Sequence, residues 1–193
     1  MGKTTKIIAG VIVVIIAVLA GYVLFFEKAQ APEVVWQTYT DTASGVSLQA
    51  PAGLAVSTST SGLSLNFATT TPYVHTHLLH ELRIDIATPD VDCISTQSGL
   101  ISTTTTKVIN GVNFERGSWG EAAAGNLYEG IDYTTIRNNL CYRIGLFTHS
   151  ANGEGLYGGT PEQIKKIDAL QAADIKDLFA LFDQIATTIR FTK

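Results

Sequence analysis

Residues 127–148, LYEGIDYTTIRNNLCYRIGLFT, contain two runs rich in aromatic and β-branched residues on either side of a polar break. Aromatic and β-branched residues favour strands. The break, Arg137-Asn138-Asn139, is typical of a turn, because asparagine adopts turn conformations readily. The stretch therefore predicts a β-hairpin.

The strand pattern extends on both sides of this hairpin. Asn110-Gly111 separates two further β-rich runs, and Asn-Gly between such runs is the strongest short hairpin signal. Other runs with strand character precede it. They are residues 34–39, 45–50, 63–67 and 82–86, and in the last of them Leu82, Ile84 and Ile86 share one face.

The spacing of the apolar residues changes from that of strands to that of a helix after the glycine-rich segment that ends at residue 159. Thr160 is followed by Pro161 and, three residues on, by Gln163, a pattern that predicts a capped helix start. Apolar residues continue at helical spacing, either in one long helix or in a second helix from about residue 174. Polar and apolar residues alternate over residues 187–192, which predicts a final strand. The predicted fold class is α+β, an antiparallel-rich sheet with a C-terminal helix packed on one face.

Residues 7–26, IIAGVIVVIIAVLAGYVLFF, contain no charge over the length of a transmembrane helix. Lys3 and Lys6 precede the run, so the N-terminus should be cytoplasmic and the rest outside, with the lipid bilayer as partner. The predicted organisation is an anchor with a short cytoplasmic end (residues 1–28), a linker (29–33) and an extracytoplasmic α+β domain (34–193).

A cleaved signal peptide is the alternative for this segment, because Ala29-Gln30-Ala31 has the small residues of a cleavage site. The apolar run is longer than a signal peptide needs, Glu27 and Lys28 separate it from the site, and Pro32 would follow the cut. A pilin-like helix is disfavoured because no acidic residue lies near the start of the run.

Charge argues against nucleic acid as a partner. Residues 32–193 carry ten Lys and Arg against sixteen Asp and Glu, a net charge of −6. An acidic domain without a basic cluster repels phosphates.

Several short motifs occur together in this chain: YTD at residues 39–41, FDQI at 182–185 and TIRF at 188–191, and, between them, AGNLYE at 124–129, CYRI at 141–144 and HSAN at 149–152. They resemble small membrane-anchored proteins of unknown function from uncultured, small-genome bacteria. The first and last motifs also resemble the PsbP-like fold of photosystem II extrinsic proteins, which implies an antiparallel sheet flanked by helices. Neither resemblance carries catalytic or metal-binding residues onto this chain.

Cys93 and Cys141 are the two cysteines, and an even number in an oxidising compartment favours a disulfide. The alternatives are two free thiols, or Cys141 as a nucleophile with His149 as its base. A nucleophile and its base need a separation of about 3 Å. On one strand, eight residues separate Cys141 and His149 by roughly 26 Å.

The densest set of metal-ligand residue types is His75, His77 and His80. A strand places His80 opposite the other two, and a helix separates His75, so neither regular structure presents all three. We therefore predict neither a specific metal site nor a cofactor. Asp90 and Asp92 lack the glycine and distal glutamate of a calcium loop.

Five polar residues within the recurring motifs are the candidates for ligand binding. They either line a shared groove where strand ends meet or act as hydrogen-bonding residues of turns and edges. These residues are Asn126, Glu129, His149, Ser150 and Asn152.

The leading interpretation is a non-enzymatic binding or envelope-associated module whose partner is an envelope protein or a small ligand. No phosphate-binding glycine motif or nucleophile elbow occurs in the sequence. The alternative is an envelope hydrolase or metal-binding protein that uses His149 or the His75, His77 and His80 cluster.

Overall fold

The computed structural model describes residues 34–68, 78–90, 100–152 and 159–192, with the side chains of 100–103 left out. The predicted anchor and the whole predicted linker lie outside the described residues, as do His75, His77, Asp92 and Cys93. In the described part of the chain, no helix combines the length and the apolar character needed to cross a membrane.

The described elements are strands followed by one long helix and a short last strand, which confirms the α+β class. In chain order they are β1 (Trp36–Asp41), β2 (Val46–Pro51), β3 (Ala55–Ser59), β4 (Gly62–Asn66), β5 (Leu79–Ala87), β6 (Leu100–Ile109), β7 (Val112–Ala123), β8 (Asn126–Arg137), β9 (Leu140–Ala151), helix α1 (Pro161–Ala186) and β10 (Arg190–Phe191).

The strands form two antiparallel sheets, where the sequence predicted one. The large sheet has the order β3-β4-β5-β9-β8-β7-β6, and the small sheet has the order β1-β2-β10. The last strand is shorter than predicted, because the backbone N–H groups of Thr187 and Thr188 still bond to helix carbonyls, at 3.2 and 2.9 Å. The pairing of β10 with β2 brings the two ends of the domain together.

Both predicted hairpins are confirmed. Asn110 (φ 49°) and Gly111 (φ 80°) connect β6 to β7, and Asn138 (φ 52°) and Asn139 (φ 60°) connect β8 to β9. Two successive residues at positive φ match the twist of a hairpin. A third hairpin, between β7 and β8, was not predicted.

The core lies between the large sheet, the small sheet and α1, which contacts β2, β8 and β9. We call the large-sheet face that borders this core the inner face. Leu82, Ile84 and Ile86 are at most 1% exposed there, so their predicted shared face is confirmed. The largest fully buried side chains include Leu48, Leu65, Phe114, Ile131, Ile144 and Phe182.

Helix α1 is continuous from Pro161 to Ala186, so the single-helix interpretation is correct. Its capping box is confirmed: Thr160 N–H donates to Gln163 Oε1 at 2.9 Å, and Gln163 N–H donates to Thr160 Oγ1 at 3.4 Å. Burial begins only at Gln171. The buried stripe then runs to the C-terminal end of the helix.

A cluster of hydrogen bonds around Asp183 attaches α1 to the inner face. Arg116 donates from Nε and Nη2 to the two carboxylate oxygens of Asp183, at 2.8 and 3.1 Å, and the Tyr133 hydroxyl donates to Asp183 Oδ1 at 2.9 Å. Burial, followed by the bond to Asp183, raises the pKa of Tyr133 to about 12. The phenol is therefore held protonated in the folded state.

Substitution Tyr133→Phe should change how stability depends on alkaline pH. Because the folded-state pKa lies above the ordinary value, the unfolded chain ionises first. The contribution of Tyr133 to the free energy of unfolding is complete below about pH 10 and is lost as the pH rises toward about 12. Urea unfolding of the detergent-solubilised full chain, from pH 8 to 11.5, measures this dependence. The free energy of unfolding should fall less steeply with rising pH in Tyr133→Phe than in the unmodified protein. A loss of equal slope in both proteins would contradict this assignment.

Candidate functional site

The second face of the large sheet, which we call the outer face, carries the side chains that alternate with the core. On β9 these are Cys141, Arg143, Gly145, Phe147 and His149. Tyr142, Ile144 and Leu146, which alternate with them, are buried in the core. Cys141 and His149 lie on one uninterrupted strand, eight residues apart. They cannot form a dyad across that distance.

A connected series of rings, the aromatic row, crosses four strands of the outer face. His80 on β5 lies 5.3 Å from His149, centroid to centroid, and Tyr128 on β8 stacks on His149 at 4.6 Å and 15°. Phe147 lies 6.3 Å from Tyr128 and 6.1 Å from Trp119 on β7. Aromatic pairs at these separations attract beyond simple burial.

Two glycines make room for large groups beside them. Trp119 pairs directly with Gly130, and a Cβ atom on Gly130 would lie 2.5 Å from the indole ring and 2.4 Å from the Leu146 carbonyl oxygen. Asp132 pairs with Gly145, where a Cβ atom would lie 2.2 Å from its Oδ1 atom. The indole and the carboxylate therefore occupy the space over these glycines.

Asp132 lies in a charged environment. Burial raises the pKa of its carboxyl above the ordinary value, and the positive charge of Arg143 opposes that shift. Across Gly145 lies a second carboxylate, Asp85, which accepts from Ser64 Oγ at 2.5 Å and from Arg83 Nε at 2.8 Å. The Arg83 guanidinium also covers the Phe147 ring, at 3.8 Å from its centroid.

An open groove of about 440 Å³ lies beside Asp132. This volume falls within the usual range of small-molecule sites. The lining residues are mostly hydroxyl, amide and charged side chains, with Trp119 as an aromatic wall: Thr104, Thr106, Asn113, Phe114, Glu115, Gly117, Trp119, Asp132, Thr134, Thr135, Ile136 and Arg143.

The indole N–H group of Trp119 is the least satisfied donor in this region. Trp119 is 8% exposed, and its Nε1 atom has no hydrogen-bond partner of acceptable geometry among the described residues. It is near enough to the Asp132 carboxylate to lower the pKa of that acid, but the contact is not a good hydrogen bond. A buried donor without an acceptor is costly unless something else supplies one.

The five predicted binding residues do not share one groove. Asn126 and His149 meet on the outer face, where His149 Nε2 lies 2.9 Å from Asn126 Oδ1. Ser150 lies on the inner face, fully buried, and accepts from Gln171 at 3.0 Å. Glu129 shares that face, where burial raises its pKa, and Asn152 N–H donates to the Gly125 carbonyl. Residues that are adjacent in the sequence, such as His149 and Ser150, therefore lie on opposite faces of the sheet.

Only one member of each of the two other candidate clusters, Asp90 and His80, belongs to the described residues. Asp90 pairs with Cys141 through two backbone hydrogen bonds, with N to O distances of 3.2 and 2.6 Å. Of the three predicted histidines only His80 is described, and it contacts His149. The described residues contain no group of three His, Cys, Asp or Glu side chains arranged to hold a metal ion.

Sequence reasoning missed Trp119, Asp132 and Arg143. Their common signal was the glycine content of β8 and β9, since Gly130 and Gly145 interrupt strands otherwise rich in large residues. A glycine inside a strand often marks a close approach by another group. The neighbours of Gly130 and Gly145 become visible only once the register is known.

No protein-family model and no curated protein matches this chain. The solution structure of cyanobacterial PsbP (CyanoP) from Synechocystis sp. PCC 6803 is similar, with a TM-score of 0.45 and 11% identity over 84% of this chain and 96% of that chain. A similarity of this size assigns neither a fold family nor a function. The resemblance to small membrane-anchored bacterial proteins stays a prediction.

Substitution Gly130→Ala should destabilise the domain by about 1–3 kcal/mol, because the new Cβ overpacks against Trp119 and a backbone carbonyl. The matched control is Gly120→Ala on the paired strand, where a Cβ would meet its neighbours at an ordinary 3.9 Å. Urea unfolding of the full chain measures both free energies. Equal stability of the two variants would show that Gly130 is not sterically required.

Proposed function

We propose that this protein is a membrane-anchored, extracytoplasmic, non-enzymatic binding protein, and that its groove takes a hydroxyl-rich ligand, a saccharide. The observation that carries this proposal is the Trp119 indole N–H, which is buried at the groove and has no acceptor of good geometry among the described residues. A ligand oxygen placed there would complete the hydrogen bonding of the site.

The chemistry of the lining favours hydroxyl groups as partners. Hydroxyl groups both donate and accept, and the groove offers both functions: carboxylates of Asp132 and Glu115 accept, while Arg143 and Asn113 can donate. A purely anionic ligand would be repelled by the two carboxylates, and a strongly apolar ligand would leave them desolvated. A polyhydroxylated ligand satisfies the mixed set best.

The hydrolase alternative is less well supported at His149. Its neighbours in the described structure are the rings of His80 and Tyr128 and the amide of Asn126. A nucleophilic mechanism would need a serine, cysteine or threonine within hydrogen-bond reach of the imidazole. The hydrolase alternative stays a prediction, as does the absence of catalysis.

The anchor and the extracytoplasmic location rest on residues 7–26 and the lysines before them. A disulfide between Cys93 and Cys141 belongs to the same proposal. Its support is the pairing of Asp90 with Cys141, which brings the chain to within three residues of Cys93. Three residues span at most about 10 Å, so the remaining gap is short. No free cysteine occurs among the described residues, which fits a bonded Cys141.

Substitution Trp119→Phe should weaken saccharide binding by roughly threefold to tenfold, because it removes one neutral hydrogen-bond donor and keeps an aromatic ring. Calorimetric titration of the full chain with chito-, malto- and cello-oligosaccharides measures the affinity. Gly145→Ala should also weaken binding, because a Cβ there displaces the Asp132 carboxylate.

The matched control is Trp36→Phe, since Trp36 lies on β1 of the small sheet and is not among the groove residues. Its affinity should equal that of the unmodified protein. Absence of binding to every saccharide, or unchanged affinity in Trp119→Phe, would contradict the proposed ligand and leave the fold assignment intact.

Peptide mapping of the membrane fraction tests the anchor and the disulfide together. We expect a tryptic peptide that precedes Pro32, and a non-reduced linked peptide that contains Cys93 and Cys141. Cys93→Ala, Cys141→Ala and the double substitution should each lower stability by about 2–4 kcal/mol, without additivity, because one bond is lost in all three. A mature chain that begins at Pro32 would contradict the anchor. Additive effects of the two single cysteine substitutions would contradict the disulfide.

A further inference from the structure

The pairing of β5 with β9 contains an irregularity at its end. Leu79 pairs with Ser150 and Glu81 pairs with His149, so His80 is an extra residue in β5. A β-bulge of this kind turns a side chain away from strict alternation. The result is that the His80 ring lies 5.3 Å from the His149 ring, centroid to centroid.

Hydrogen bonds fix the tautomer of His149. The Asn126 amide nitrogen donates to the carbonyls of Ala123 and Ala124, both at 3.3 Å, which orients its Oδ1 toward His149 Nε2 at 2.9 Å. An amide oxygen only accepts, so Nε2 carries the hydrogen. The lone pair of the neutral ring is then on Nδ1.

This is the arrangement of a metal-ligating histidine. Such a residue donates its other ring N–H to an oxygen that fixes its tautomer and orientation. Tyr128 stacks on the same imidazole at 4.6 Å and 15°, which also restrains the plane of the ring. The orientation of His149 is therefore determined before any ligand arrives.

We propose that His80 and His149 bind one divalent transition-metal ion of the zinc class, with water or an external ligand at the remaining positions. Imidazole nitrogen is a preferred ligand of Zn²⁺, Cu²⁺ and Ni²⁺. Glu81 pairs with His149 in register, but its carboxylate is engaged by Arg83. Two protein ligands leave the ion open to exchangeable ones.

This site differs from the histidine cluster seen in the sequence. That cluster joined His80 to residues close to it along the chain, whereas the fold joins His80 to a residue on another strand. The site is also independent of the groove, because neither His80 nor His149 lines it. Failure of saccharide binding would leave the metal proposal unaffected.

Calorimetric titration of the detergent-solubilised full chain with ZnCl₂ at pH 7.5 tests the proposal. We expect one ion per chain, and a loss of roughly tenfold or more in affinity for His80→Ala and for His149→Ala. Asn126→Ala should weaken zinc binding by roughly tenfold although it removes no metal-ligating residue. Without the Asn126 acceptor, the hydrogen of His149 is no longer held on Nε2.

The control is the double substitution His75→Ala with His77→Ala, which should keep the affinity of the unmodified chain. A second measurement, ¹⁵N chemical shifts of the histidine rings in the unmodified protein, should show His149 protonated on Nε2 and its Nδ1 resonance shifted by Zn²⁺. Zinc binding that survives His149→Ala, or no binding by the unmodified chain, would overturn the proposal.

Discussion

Continuous antiparallel pairing of β8 with β9 determines which side chains of the two central strands share the outer face. Twelve residue pairs join the two strands, from Asn126 with Ala151 to Arg137 with Leu140. The turn residues Asn138 and Asn139, both at positive φ, set this register. A slip of one residue would exchange the two faces of a strand, and would replace Gly145 opposite Asp132 by a buried apolar neighbour.

The outer face uses this register to place large groups beside glycines. Trp119 lies over Gly130 and the Asp132 carboxylate lies over Gly145, so neither group has to project far from the sheet. Glycine weakens a strand through its backbone freedom and its missing side chain. Its presence inside the central strands therefore needs a compensating gain, and the close approach of an indole and a carboxylate supplies one.

The sequence predicted the elements well where local chemistry specifies them. The hairpins at Asn110-Gly111 and Asn138-Asn139 follow from turn chemistry, and the start of α1 follows from the capping box around Thr160. In each case the residues that specify the structure are adjacent in the chain. No long-range pairing has to be known.

The rest of the fold depends on long-range pairing. Strand β3 is exposed at every residue, so it carries no apolar alternation. Strand β7 was recognised only at its start, because beyond Phe114 its inner face carries Arg116, Ser118 and Gly120, outside the apolar core. The division into two sheets depends on the pairing of β10 with β2, more than 130 residues apart. Of the two alternatives for the candidate binding residues, a shared groove is ruled out by strand alternation, because Ser150 faces the core while His149 faces outward.

The aromatic row links the strands of the outer face, a face that the described core cluster does not include. Its rings belong to four adjacent strands, and each lies within 6.3 Å of the next, from His80 to Trp119. Such contacts contribute about 0.5–1.5 kcal/mol per pair beyond burial. They also restrain both ends of the row: Trp119 at one end lines the groove, and His149 at the other end contacts His80. The inner face supplies most of the apolar burial, so the outer face can retain charged and imidazole groups.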